Sequence, residues 1–124
     1  MARILLVEDE PLLRRFLSRQ LRREGHRVTT AGDGLTALAC YHEDPPDIIL
    51  LDILLPDISG VEVLQRVRSE DRNTPVFLVT GFLGQYHPEL LALEEEGVPF
   101  RVIEKPAHMQ TLLNLVTATV QEAL

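Results

Sequence analysis

The chain has 124 residues, of which 45% are hydrophobic and 25% charged, so it can form one globular domain without disulfide or metal cross-links. The formal net charge of −7 argues against a nucleic-acid-binding surface, and the longest apolar runs are too short to span a membrane. The single cysteine, Cys40, excludes an internal disulfide and, with no signal peptide before the first predicted strand, favours a cytoplasmic location; we expect a buried structural thiol.

Five strand-like runs alternate with five helix-like segments, which is the pattern of βαβ units around a parallel sheet. Most of the runs are continuously apolar, as expected for strands that helices cover on both faces. The second run is the least apolar, and we predict that it is an edge strand. The predicted strands lie near 3–7, 27–31, 47–52, 75–80 and 100–104.

The first helix is predicted to begin at Pro11 and to stop at Gly25. One apolar stripe should turn this helix towards the core, formed by Leu12, Leu13, Phe16, Leu17 and Leu21. The next three helices are predicted near 35–43, 61–69 and 88–96, and the fifth on the stripe Met109, Leu112, Leu113, Val116 and Val120. The connection 81–87 carries two glycines and is predicted to be a flexible loop.

Four of the five predicted strands end in a polar side chain. Glu8 and Asp9 follow the first run, Asp52 ends the third, Thr80 the fourth, and Lys105 follows the fifth. The carboxyl ends of parallel strands meet at one edge of a sheet, where sites form. The chain has eleven arginines and one lysine, and a compact ammonium group suits a small, crowded anionic site.

Carboxylates at positions 8, 9 and 52 would repel one another at this edge unless a cation lay between them. Mg²⁺ prefers oxygen ligands and keeps several waters, so two or three carboxylates suffice. Such an ion could orient a phosphoryl group while a carboxylate attacks in line. The Thr80 hydroxyl and the Lys105 ammonium could then hold the remaining phosphoryl oxygens.

Four motifs occur in order at the predicted strand ends: Leu6-Val7-Glu8-Asp9-Glu10, Asp52-Ile53-Leu54-Leu55-Pro56-Asp57-Ile58-Ser59-Gly60, Val79-Thr80-Gly81 and Glu104-Lys105-Pro106. Together they resemble the receiver domains of bacterial two-component response regulators, over one domain at 1–124. The resemblance implies an α/β fold of the flavodoxin-like type, a single doubly wound sheet of five parallel strands in the order 2-1-3-4-5 with five helices. It implies a phosphoacceptor signalling domain, not an enzyme, that assists its own phosphorylation and dephosphorylation.

The resemblance also assigns roles to single residues. Asp52 would be the phosphoacceptor, and Thr80 and Lys105 would stabilise the phosphoryl group. The Lys105–Pro106 peptide bond is expected to be cis. The ligands of a Mg²⁺ or Mn²⁺ ion would be Asp9, Asp52, the backbone carbonyl of Leu54 and, through water, Glu8.

The implied partner is a sensor histidine kinase or a histidine phosphotransfer protein, with the chain a monomer or a phosphorylation-dependent homodimer. Neither nucleic acid nor membrane is an expected partner of this domain. We hypothesise that Arg15 and Arg19, on the arginine-rich first helix, help to dock the phosphotransfer partner by charge. The simpler alternative is a solvated helix face.

Two features depart from the family pattern. Val102 stands where an aromatic switch residue is usual, and the segment before Lys105 is long, with an atypical fourth helix. If the domain switches, we therefore expect the signal to pass through 81–87 and the helix that follows.

Four alternative interpretations of these residues are weighed against this function. The chain could be a phosphorylation-independent receiver-like interaction module. An aspartate-nucleophile phosphatase typically needs a second acid where this chain has Leu54, and a nucleotide- or flavin-binding protein needs a glycine-rich loop that is missing after the first strand. Finally, Glu8, Asp9 and Glu10 could simply favour the start of a helix at Pro11.

Overall fold

The computed structural model describes residues 2–80, 83–104 and 109–123. Within these residues five strands and five helices alternate along the chain. The strands are β1 (Arg3–Val7), β2 (Arg27–Ala31), β3 (Ile48–Asp52), β4 (Val76–Thr80) and β5 (Arg101–Glu104). The helices are α1 (Pro11–Arg23), α2 (Gly34–Glu43), α3 (Gly60–Arg68), α4 (Leu83–Glu95) and α5 (Met109–Ala123). None of the described helices is both long enough and apolar enough to cross a membrane.

All five strands pair in parallel in the order β2-β1-β3-β4-β5, which confirms the predicted doubly wound sheet. β3 is buried along its whole length, whereas β2, at the edge, alternates between exposed and half-buried positions and buries only its last residue, Ala31. Because every strand runs the same way, all five end at one edge of the sheet, the carboxyl edge.

The sheet separates two hydrophobic clusters. Leu5 and Val7 of β1 belong to the cluster that packs under α2, α3 and α4. Their neighbours Ile4 and Leu6 belong to the cluster on the side of α1 and α5. Successive side chains of a strand point to opposite faces, so burial on both faces explains the continuously apolar runs.

The predicted apolar stripe of α1 is partly wrong. Leu12 is 74% exposed and Phe16 49% exposed, whereas Leu21 is fully buried and Leu17 packs against the core. Residues one position apart on a helix point about 100° apart, and the prediction merged two neighbouring columns into one face. Only the column that runs through Leu17 and Leu21 packs on the sheet.

The predicted start of α4 is also wrong. The helix was predicted from Pro88, and 81–87 was predicted to be a loop, but α4 begins at Leu83 with Pro88 inside it. Proline removes one N–H hydrogen bond from a helix, and this loss is outweighed where the helix buries apolar side chains such as Leu90 and Leu93. Residues 81 and 82 lie outside the described part of the chain. The predicted stop at Gly97 is confirmed, with a φ of 75° that suits glycine.

Cys40 lies on α2, half-buried against the core rather than fully buried. Burial raises the pKa of its thiol, and the nearby Glu43 and Asp33 carboxylates raise it further. A thiol of this kind is protonated at neutral pH, which agrees with a structural role.

A polar cluster, here called the Asp71 cluster, lies at the opposite, amino edge of the sheet, and consists of Tyr41, Arg68, Asp71 and Thr74. The Asp71 carboxylate accepts hydrogen bonds from the Tyr41 hydroxyl at 3.0 Å, the Thr74 N–H at 3.1 Å and the Thr74 hydroxyl. Arg68 is only 6% exposed and donates to the backbone carbonyls of Asp71 and Pro99. The cluster thus joins α2, α3 and the segments before β4 and β5.

Candidate functional site

Three carboxylates meet at the carboxyl edge. β1 and β3 are adjacent, so Glu8 and Asp9, which follow β1, lie beside Asp52, which ends β3. One carboxylate oxygen of each lies within 4.8 Å of the others. Glu8 is 4% and Asp52 6% exposed, whereas Asp9 is exposed to solvent. The predicted convergence of these three residues is confirmed, and we call them the acidic cluster.

The donor set of the acidic cluster fits a hard divalent cation. Carboxylate oxygens are the ligands that Mg²⁺ and Mn²⁺ prefer, and Mg²⁺ usually takes only one or two carboxylates and keeps its waters. The exposed position of Asp9 leaves one side of the cluster open to water. A bound cation would also offset the repulsion between the three negative groups.

The segment between β1 and α1 is held in place by its own hydrogen bonds. Glu8 accepts the Glu10 N–H at 3.1 Å through its side chain, and its own N–H donates to the Ala31 carbonyl at 3.0 Å. Arg14 of α1 donates from Nη1 to the Glu8 carbonyl at 2.9 Å, and to that of Asp9 at 3.4 Å. The two carboxylates of this segment are therefore carried on a fixed backbone.

Glu10 has a different role from its two acidic neighbours. Its carboxylate caps α1 by accepting hydrogen bonds from the Leu12 N–H at 3.1 Å and the Leu13 N–H at 2.6 Å. Pro11 follows at the first helical position. The alternative in which these acids merely start a helix is thus correct for Glu10 but not for Glu8 or Asp9.

The segment between β3 and α3 is closely fitted around Asp52. The Asp52 carboxylate accepts the Leu54 N–H at 3.1 Å, which orients it. Gly60 donates to the Ile53 carbonyl at 2.8 Å, and a Cβ at position 60 would lie 2.2 Å from the Asp52 carbonyl oxygen. Only glycine therefore allows α3 to begin so close to the end of β3.

Asp57, in the same segment, reaches across to α2. Its two carboxylate oxygens each accept one hydrogen bond of 2.8 Å, from the Gly34 N–H and the Leu35 N–H. Partial desolvation raises the pKa of the Asp57 carboxyl, but hydrogen bonds from backbone N–H groups outweigh this effect and lower the pKa below its ordinary value. The sequence alone indicates no role for Asp57, because its hydrogen-bond partners lie more than twenty positions away along the chain.

The other predicted site residues, Thr80, Lys105 and Pro106, lie at the ends of β4 and β5 in the sequence. Thr80 is the last residue of β4 and is paired with Glu104, the last residue of β5, so the backbone brings both to the carboxyl edge. Lys105 and Pro106 lie outside the described residues, and the prediction of a cis bond between them stays a prediction.

The arginine-rich helix α1 presents an exposed surface of mixed character, called here the α1 face. Arg15 and Arg19 are exposed and, together with the exposed Leu12 and Phe16, line a shallow groove of about 300 Å³. Arg14 does not belong to this surface, because its guanidinium group is bonded to the segment before α1. The predicted solvent position of Arg15 and Arg19 is confirmed, and their docking role stays a hypothesis.

Known proteins resemble this chain in sequence. A family model described as the response regulator receiver domain matches residues 4–117. The probable transcriptional regulatory protein TcrX of Mycobacterium tuberculosis is 48% identical over 77 residues, which make up 62% of this chain and 33% of that protein. The response regulator receiver protein CpdR of Brucella abortus is 33% identical over 115 residues, or 92% of each chain. The chain spans about a third of the length of the first curated relatives it matches.

A solved structure also resembles this chain in fold. The response regulator protein TrrA of Thermotoga maritima, in complex with Mg(2+)-BeF, has a TM-score of 0.81 and 30% identity, over 96% of this chain and 99% of that one.

Proposed function

Since this chain belongs to the family of response regulator receiver domains and takes part in two-component signal transduction, we propose that Asp52 is its phosphoacceptor. The single observation that carries this proposal is the acidic cluster. Asp52 is nearly buried, it ends the central strand, and two further carboxylates lie within 4.8 Å of it. A lone structural aspartate would gain nothing from such neighbours.

The cation that fits the cluster is Mg²⁺ or Mn²⁺. Its direct ligands would be Asp9, Asp52 and the backbone carbonyl of Leu54, and Glu8 would act through water. When bound, the ion supplies positive charge that offsets the charge of an incoming phosphoryl group.

The residues of the chain carry out the transfer itself. A carboxylate oxygen of Asp52 attacks phosphorus and forms a P–O bond, while the P–N bond of a donor phosphohistidine breaks and the imidazole takes up a proton. The Leu54 N–H, bonded to Oδ1 at 3.1 Å, keeps the carboxylate oriented during the attack. The Thr80 hydroxyl and the Lys105 ammonium would bind the phosphoryl oxygens.

The decisive experiment follows phosphorylation by intact-protein mass spectrometry with a small acyl phosphate as donor. The wild type should gain one phosphoryl group only when Mg²⁺ is present. Asp52→Asn should keep the fold and gain none, whereas the control Asp44→Asn, at an exposed carboxylate on the far side of the sheet, should behave like the wild type.

Undiminished labelling of Asp52→Asn would contradict the assignment. Wild-type protein that neither accepts phosphate nor binds beryllofluoride would favour the phosphorylation-independent interaction module instead.

The donor in the cell would be a sensor histidine kinase or a histidine phosphotransfer protein in the cytoplasm, and the chain would act as a monomer or a phosphorylation-dependent homodimer. The α1 face supports a docking role, because it combines two exposed cations with two exposed apolar side chains. Apolar area contributes affinity and charge speeds the encounter.

Charge reversal tests the docking hypothesis. Replacing Arg15 and Arg19 by glutamate should slow phosphotransfer from the kinase but leave transfer from a small phosphodonor unchanged. The same replacement at Arg27 and Arg66, two exposed arginines outside the α1 face, serves as the control. If both donors slow equally, the α1 face is not a docking surface.

A further inference from the structure

The loop of residues 53–59 is held in place at two points, where its ends meet and at Asp57. At the α3 end, the Gly60 N–H bonds to the Ile53 carbonyl at 2.8 Å, and Gly60 lies directly against the end of β3. Within the loop, the two carboxylate oxygens of Asp57 accept hydrogen bonds from the Gly34 and Leu35 N–H groups in the first turn of α2. Leu54, whose carbonyl is the proposed third protein ligand of the metal, lies on the stretch between these points.

Packing reinforces the attachment to α2. A Cβ at Gly34 would lie 2.4 Å from Cγ1 of Ile58 and 2.9 Å from Cγ2 of Val63. Ile58 packs against the core cluster under α2 and α3. The absence of a side chain at position 34 therefore lets the loop approach the helix closely enough for Asp57 to reach two backbone N–H groups.

The two hydrogen bonds of Asp57 are of a strong kind. Each joins an ionised carboxylate to a backbone N–H, and both lie at a helix amino terminus, where the aligned peptide dipoles favour negative charge. A bidentate contact also fixes direction, because both oxygens must be satisfied at once.

Capping alone does not account for Asp57. α2 already has its own cap in Asp33, which precedes the helix and accepts the Thr36 N–H at 2.7 Å. Leu35 is exposed, so its N–H could bond to water instead, whereas Gly34 is buried and its N–H has Asp57 as acceptor. What Asp57 adds to the fold is a connection between α2 and the loop that carries Leu54.

We propose that Asp57 is a positioning residue for the metal site, which holds the loop of Leu54 against α2 and thereby couples cation binding at the acidic cluster to the first turn of α2. This inference rests on the proposed function, because it assumes a cation bound by Asp9, Asp52 and Leu54. Partners that orient metal ligands from outside the ligand shell commonly change metal affinity by about 10- to 100-fold. Coupling of this kind is reciprocal, so bound cation should stabilise the first turn of α2.

The test compares two aspartates at the start of the same helix. Mg²⁺ titrations, followed by calorimetry and by amide NMR signals, should show a dissociation constant raised about 10-fold in Asp57→Ala. Asp33→Ala, which removes a cap from α2 without touching the loop, should keep the wild-type value. Asp57→Asn, which retains the side-chain size and one acceptor oxygen, should give an intermediate value and serves if the alanine variant does not fold.

A second readout separates positioning from general stability. In the wild type, Mg²⁺ should slow hydrogen exchange of the Gly34 and Leu35 amides, and in Asp57→Asn this protection should shrink. Equal dissociation constants in wild type and both Asp57 variants, or equal weakening in Asp57→Ala and Asp33→Ala, would overturn the inference. Wild-type protein that does not bind Mg²⁺ would instead overturn the proposed function, and the inference with it.

Discussion

At the carboxyl edge of the sheet three carboxylates lie within 4.8 Å of one another, whereas at the amino edge the Asp71 carboxylate lies among four hydrogen-bond donors. Both sites are partly buried: Glu8 and Asp52 are buried while Asp9 is exposed, and Asp71 is half-buried. At the acidic cluster three groups of like charge lie close together and repel one another. At the Asp71 cluster hydrogen bonds from hydroxyl and backbone groups favour the charged form.

The comparison teaches that a carboxylate contributes to the fold or to function according to what surrounds it. A structural carboxylate is surrounded by donors that the chain itself supplies. In a cluster of carboxylates the like charges repel one another, and a bound cation would offset that repulsion. Removing a carboxylate should therefore lower the free energy of unfolding at the Asp71 cluster and, without a bound cation, raise it at the acidic cluster.

The largest expected effect is the loss of the Asp71 carboxylate. Asp71→Ala should lower the free energy of unfolding by about 3 kcal/mol, because it leaves the hydroxyls of Tyr41 and Thr74 and two backbone N–H groups without their acceptor. Urea unfolding measures this loss. Asp44→Ala, which removes an exposed ion pair with Arg3, should change the free energy by no more than about 0.5 kcal/mol.

A loss below about 1 kcal/mol in Asp71→Ala, the value for an ordinary single hydrogen bond, would show that the Asp71 cluster does not support the fold as described.

At the acidic cluster, removing a carboxylate should have the opposite effect on stability. Without Mg²⁺, Asp9→Asn should raise the urea midpoint slightly, since it removes one of three clustered negative charges. Mg²⁺ at about 100 times its dissociation constant should stabilise the wild type by about 2.7 kcal/mol, and Asp9→Asn should lose most of this gain. Destabilisation of Asp9→Asn in metal-free buffer would remove the contrast between the two edges.

The smallest effect is expected in the dependence of stability on pH. Burial raises the pKa of the Asp71 carboxyl, but hydrogen bonds from Thr74, Asn73 and Tyr41 outweigh it and lower the pKa to about 2, from an ordinary value of 3.8. Because the folded state has the lower pKa, the contribution of Asp71 is complete above about pH 4 and is lost as the pH falls towards 2.

Urea midpoints of the wild type and of Asp71→Asn, measured between pH 2 and pH 5, check this expectation. The variant should be less stable at pH 5 and should lose less stability on acidification. Parallel curves for the two proteins would mean that another group titrates in this window.

Most of the fold could be predicted from the sequence, because it depends on local signals. Continuous apolar runs marked the strands of a sheet that is buried on both faces, and Pro11 and Gly25 marked the limits of α1. The acidic cluster could be predicted for the same reason, since Glu8, Asp9 and Asp52 directly follow or end such runs.

The errors and omissions concern contacts between distant positions. Which column of α1 packs on the sheet depends on how the helix is rotated, and Leu12 and Phe16 carry no local sign of their exposure. Arg68 reads as a surface charge on α3, yet it is buried because carbonyls 3 and 31 positions away accept its hydrogen bonds. Asp57 was missed for the same reason.

The reactivity of Cys40 can report on the opening of α2. Cys40 is the single thiol of the chain, it lies half-buried where α2 covers β1 and β2, and its raised pKa keeps it protonated and slow to react. We therefore expect alkylation of Cys40 to be slower in the folded chain than in molecules whose second helix has lifted from the sheet. Because Cys40 is the single thiol of the chain, each labelled molecule carries its label at one known position, and a change that opens α2 should raise the rate of labelling.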